Sequence, residues 1–229
     1  MRLPDRLAVG VPAKMDEPAP PTPHVEVIGF ADLPASGALT AFAGKRTISM
    51  VGWHVLTHRR SDVLYRQMDD APPDHAAVGH FERSRWTDEA WEKQDDLARA
   101  TDAQAVVFRT PASFKPTADH ATRLENFVAH ATRPGMAICW EWAAGSWPER
   151  KALELCERIG AIPVLDPTEV AVPEGELIYL RFRGGAKGRK AMRDDDLKKV
   201  ALEVRDRIGW VIFSNASAIS DSDRFLQML

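Results

Sequence analysis

Charged and hydrogen-bonding residues of this chain gather just beyond its short apolar runs. His54, Thr57 and His58 follow the run 47–53, which ends on Trp53. Arg109, Thr110, Ser113 and Lys115 follow 105–108, and Glu141 and Trp142 follow 136–140. Asp166 follows 161–165, Arg181 and Arg183 follow 177–180, and Ser214 and Asn215 follow 211–213. Three of these residues suit proton transfer. A carboxyl between two tryptophans, as at Glu141, is either raised in pKa for acid–base work or paired with an arginine such as Arg181. His58 titrates in the range of a general acid or base, though a helix cap is the plainer role. Asp166 precedes Pro167, and Asp-Pro starts turns, so a structural role competes with a chemical one. Glu141, His58 and Asp166 are the candidate catalytic residues.

The cations have a different pattern. From Arg181 to Arg193 the chain carries six basic residues and no acidic one, with Gly184, Gly185 and Gly188 interleaved. Backbone amides exposed by glycine, together with Arg181, Arg183, Lys187 and Arg189, make a candidate phosphate cradle. Arg109 and Lys115 would assist it, and Trp53, His54, Trp142 and Asn215 complete the candidate ligand-binding set. The alternative is a solvated basic loop balanced by Asp194, Asp195 and Asp196. The segment does not satisfy the P-loop pattern, and there is no Gly-x-Ser-x-Gly elbow. His54 and His58 have the i, i+4 spacing of a helical zinc pair but lack the His-Glu-x-x-His pattern, so no metal ligand set and no cofactor is assigned. Cys139 and Cys156 read as core residues.

The elements that must hold these residues alternate. Apolar runs predict strands at 7–11, 25–30, 47–53, 105–108, 136–140, 161–165, 177–180 and 210–213, with 47–53 leading straight into His54 to His58. Helical spacing predicts helices at 61–68, 86–101, 118–131 and 194–208, another after Pro148 that Gly160 ends, and a short one after Ser36. Helix 194–208 would open on its three aspartates and close at Gly209, and Ser220 or Asp221 would cap a last helix. Continuous apolar strands joined by helices favour a parallel sheet buried on both faces, and their number favours a (β/α)8 TIM-barrel-like α/β fold. Six of the 16 prolines lie in the first 23 residues, so the N-terminal unit is atypical and lacks its first helix. Chemistry in such a barrel lies at the C-terminal ends of the strands, where the residues above converge.

Composition sets outer limits. The 229 residues are 45% hydrophobic, enough for a sizeable core, and read as a single domain. Thirty basic and 33 acidic residues leave a net charge of -3, which argues against a globally basic nucleic-acid binder. Two cysteines exclude a disulfide framework. No signal-peptide core and no run of 18 apolar residues occurs, so a cytoplasmic protein without membrane contact is expected.

Residues 106–117, Val-Val-Phe-Arg-Thr-Pro-Ala-Ser-Phe-Lys-Pro-Thr, resemble the core signature of the YecE-like family (domain of unknown function 72). Trp53 to His58, Cys139-Trp140-Glu141, Leu165-Asp166-Pro167, Tyr179 to Gly184, Phe213-Ser214-Asn215 and Asp223 to Leu229 are similar to other motifs of that family, in the same order. The likeness covers about residues 24–229, and 1–23 form the proline-rich remainder. It implies a TIM-barrel-like fold and no settled activity. Arg109 stands where the family usually has Gln, Trp142-Ala143-Ala144 replaces an arginine-containing continuation, and Arg183 replaces the histidine of an Arg-x-His-Gly motif.

Two functions follow as expectations. One is an enzyme, with hydrolysis as the candidate reaction, acting on a nucleotide, a nucleic-acid end or a sugar phosphate. The other is a non-catalytic barrel that binds phosphate or nucleic acid after losing family active-site residues. Oligomeric state is left open by the sequence.

Overall fold

Runs such as Ala-Val-Val-Phe and Leu-Ile-Tyr-Leu bury side chains on both faces, and a parallel sheet closed on itself satisfies that requirement together with every strand edge. The computed structural model describes residues 3–14, 18–28, 32–33, 46–185 and 190–229. Among them, eight parallel strands close a barrel in sequence order. They are β1 Leu7–Lys14, β2 His24–Ile28, β3 Thr47–Val51, β4 Ala105–Thr110, β5 Ala137–Trp142, β6 Ile162–Leu165, β7 Leu177–Phe182 and β8 Ile208–Phe213. Closure comes from β1 lying parallel to β8, with Leu7 opposite Gly209 and Gly10 opposite Ile212.

The helices are α1 His54–Thr57, α2 Arg85–Ala100, α3 Ala118–Ala131, α4 Glu149–Ile159, α5 Asp194–Val204 and α6 Ala218–Leu226. Ser84 caps α2 in a reciprocal capping box with Thr87, and Gly160 ends α4 in the left-handed conformation at φ 72°. Two apolar clusters fill the space between barrel and helices, and a third fills the barrel itself with Ala105, Val107, Ala137, Cys139, Tyr179, Trp210 and Ile212. The period of two places Val25, Phe108, Trp140 and Leu180 outside and His24, Glu26, Arg109, Glu141 and Arg181 inside.

Several predicted boundaries need correction. β3 stops at Val51, and His54 to Thr57 form α1 rather than a strand extension. The predicted helix 61–68 is a short 3-10 turn, Val63–Gln67. Helix α5 ends at Val204, not 208, and Gly209 lies inside β8 at φ 128°, so it closes no helix. A Cβ there would collide with the Ile178 carbonyl of β7, which explains the glycine. The last helix starts at Ala218, which puts Ser220 and Asp221 inside it. Residues 18–23, between β1 and β2, hold no helix. The helix predicted after Ser36 lies outside the described residues.

Candidate anion site at the barrel mouth

β4, β5 and β7 each run two residues further than their apolar text, so Arg109, Glu141 and Arg181 stand inside the strands as inward-facing positions. With Glu26 from β2 they build one ionic layer. Arg181 donates through Nη2 to Glu26 Oε1 at 2.5 Å, through Nη1 to Glu26 Oε2 at 2.7 Å, and through Nε to Glu141 Oε2 at 3.2 Å. Arg109 bridges the same two carboxylates, Nε to Glu141 Oε2 at 3.0 Å and Nη2 to Glu26 Oε2 at 3.3 Å. Arg183, just past β7, donates to Glu141 Oε1 at 2.8 Å. Glu26 and Arg181 are fully buried, while the side chains of Arg109 and Arg183 keep 38% and 34% of their surface.

Electrostatics follow from this geometry. Burial works to raise the pKa of Glu26, but Arg181 and Arg109 outweigh it and bring the carboxyl down to about 2. Burial likewise opposes ionisation of Glu141, and Arg181, Arg109 and Arg183 reverse the balance, holding it below the ordinary carboxylate range. Three guanidiniums against two carboxylates leave the layer one positive charge in excess. Both carboxylates are ionised and covered by donors, so Glu141 is an anchor for arginines here and poorly suited to give or take a proton.

Beneath the ionic layer runs a chain of hydroxyls. Tyr179 donates to Glu26 Oε1 at 2.6 Å, Ser49 Oγ lies 3.0 Å from the Tyr179 hydroxyl, and His24 Nε2 lies 2.9 Å from Ser49 Oγ. His24 Nδ1 is 2.7 Å from Thr47 Oγ1. The Glu26 carboxylate can only accept, so each hydrogen in the chain is fixed. Ser49 must donate to Tyr179, His24 must carry its hydrogen on Nε2, and Nδ1 must accept from Thr47. Burial, partly opposed by the charge of Glu26, pushes His24 down to about 4 and keeps the ring neutral.

The layer floors an open cavity of about 530 Å³ lined by Pro12, Ile28, Arg109, Glu141, Arg181, Arg183, Ser214, Asn215 and Ala218. Asn215 donates through Nδ2 to the Lys190 carbonyl and to Asp221 Oδ2, which fixes the orientation of its amide. Its Oδ1 is buried and has no donor among the described residues. A second cavity, about 680 Å³, shares Glu141, Arg183 and Ser214 with the first and extends past Trp142, Glu149, Asp166, Glu169 and Val170. Asp166 is committed to the backbone here. Its Oδ1 accepts from Thr168 N and Oγ1, and its Oδ2 accepts from Arg183 N, so it holds the turn that aims Arg183.

The other sequence-predicted site residues lie elsewhere. His58, His54, Trp53 and Lys115 line neither cavity. Trp53 and His54 are buried around α1, with the His54 ring edge-on to Tyr65 at 4.8 Å. His58 Nδ1 lies 2.8 Å from Thr57 Oγ1, and burial lowers its pKa. Lys115 is exposed, and its backbone N–H lies 2.9 Å from His120 Nδ1. Lys187 and Arg189, half of the proposed cradle, lie outside the described residues. Glu26, Ser49 and Tyr179 are not singled out by sequence reasoning. The available signal is a glutamate flanked by Val25 and Val27, which in a strand with both faces covered must point into the barrel. Among the described residues no group of three or more His, Cys, Asp and Glu side chains is placed to hold a metal ion.

No family model matches the chain, and no curated protein matches it. Solved structures do. A DUF72 family protein from Enterococcus faecalis V583 aligns with a TM-score of 0.64 at 18% identity, over 97% of this chain and 96% of that one. A DUF72 family protein from Thermotoga maritima aligns at 0.59 and 14% identity, over 90% and 83%. Endonuclease IV from Thermus thermophilus aligns at 0.54 and 10% identity, over 97% and 100%. The structural neighbours thus include DUF72 proteins, and the fold shared with all three is the TIM barrel. Among the described residues no helix is long and apolar enough to cross a membrane.

Proposed function

We propose that this chain, a single TIM-barrel-like domain of the YecE-like kind, binds a phosphate-containing ligand at the mouth of its barrel. The observation that carries this reading is the three-to-two excess of guanidinium over carboxylate in the ionic layer, presented to the cavity by the half-exposed Arg109 and Arg183. Among the described residues, Nη1 of Arg109 and Nε and Nη1 of Arg183 have no protein acceptor, so in-plane donors are available to an anion's oxygens. Strand-end placement is where barrels build their sites. Arg181 is the structural cation, and Arg109 and Arg183 are the binding ones.

Calorimetric titration with inorganic phosphate at low and at physiological salt tests the reading. Binding should weaken as salt rises. Arg183→Ala and Arg109→Ala should each lose about tenfold in affinity, equivalent to about 1.4 kcal/mol. Binding that is indifferent to both substitutions refutes the site.

A catalytic reading draws on strand-end placement and on fold likeness to an endonuclease, and would use Glu141, His58 and Asp166. Glu141 and Asp166 already satisfy their oxygens within the protein and His58 lies off the cavity, so binding without turnover is the better-supported function. A substrate whose turnover falls at least a hundredfold in Glu141→Gln would reverse that preference.

A further inference from the structure

The two cavities share Glu141, Arg183 and Ser214, and the rest of their linings differ in chemistry. The first offers guanidinium donors from Arg109 and Arg183. The second offers a half-buried indole, Trp142, with Leu165 and Val170 on its apolar wall and two carboxylates, Glu149 and Glu169, at its polar edge. A bare phosphate uses only the arginines. It leaves the indole and the carboxylates of the second cavity unused. A ligand that satisfies both compartments must carry one anionic group, hydrogen-bond donors beside it, and a face flat enough to lie on an indole.

We propose that the ligand is a phosphorylated polyhydroxylated ring, of the sugar-phosphate class. Its phosphate sits on Arg109 and Arg183, and the ring lies against Trp142 with hydroxyls donating to Glu149 and Glu169. The same lining disfavours a nucleic-acid strand. A strand repeats its negative charge at every nucleotide, and in the second cavity the next phosphate meets Glu149 and Glu169, with Arg183, already on the first phosphate, as the cation lining it among the described residues. The proposal rests on the anion site described above.

Calorimetry with inorganic phosphate, ribose 5-phosphate, glucose 6-phosphate, AMP and a 5′-phosphorylated oligonucleotide separates the alternatives. At least one sugar phosphate should bind about tenfold or more tighter than inorganic phosphate. Trp142→Ala should bring that ratio down toward one, with Trp142→Phe, which keeps an aromatic ring in the fold, retaining part of it. If inorganic phosphate binds and neither sugar phosphate exceeds it, the inference fails while the anion site stands. If AMP or the oligonucleotide is the tightest probe, the hydroxyl-ring assignment is wrong and a nucleotide or nucleic-acid ligand replaces it. If nothing binds, the anion site fails first.

Discussion

Glu26 is the residue on which the barrel mouth depends. It accepts from both arms of Arg181, from Arg109 and from Tyr179, and it has no contact with water. Removing one partner of a buried ion pair leaves the other charge uncompensated, so Glu26→Gln should lose about 3–5 kcal/mol in urea unfolding. A loss below about 1 kcal/mol, the range of exposed pairs, would mean that Arg181 finds other partners. Tyr179→Phe deletes one hydroxyl and strands the hydrogen of Ser49, and should cost about 1–3 kcal/mol by the same measurement. Neither residue stands out in the sequence, because Glu26 is one polar letter in an apolar run and Tyr179 reads as part of one. Arg181 and Glu141 do, because each stands where an apolar run gives way to charge. Their mutual pairing, one of two alternatives open at Glu141, is the one the fold adopts.

Among the elements, strand order and the α2, α3 and α4 helices are legible because each is a continuous pattern bounded by a cap or a glycine. The strand ends are not. β4, β5 and β7 continue through Arg109, Glu141 and Arg181 because those side chains neutralise one another inside the barrel, and partners more than 30 residues apart leave no local trace. His58 shows the converse. Its place in the text resembles that of Glu141, yet α1 turns it away toward Thr57 and Tyr65. Gly209 misleads because a glycine after a helical pattern looks like a stop, whereas its function is to let β8 approach β7. Gly209→Ala combines an unfavourable φ with a backbone collision, so it should cost about 3 kcal/mol or more in thermal or urea unfolding. A near-neutral result would show that β8 can shift its register at this point.

For the molecule as a whole, acid is the vulnerable side. His24 has a folded pKa of about 4 against an ordinary 6.5, so its contribution is complete above 6.5 and is lost as pH falls toward 4. Glu26, at about 2 against 4.5, contributes fully above 4.5 and loses that contribution as pH falls toward 2. Both act in one direction, and urea midpoints should decline progressively from pH 7 to pH 3. A midpoint that rises on acidification would contradict the assignment of a neutral His24 and an ionised Glu26. The hydroxyl chain adds a communication property. Every hydrogen between Thr47 and Glu26 has a single allowed direction, so the carboxylate at the top of the barrel dictates the tautomer of an imidazole at its base. A ligand that draws Arg109 away from Glu26 should alter how strongly that carboxylate pulls on Tyr179, and the change should pass through Ser49 to the ring. The ¹⁵N resonances of His24, which is buried and does not line the cavity, should therefore shift when phosphate is titrated into the mouth.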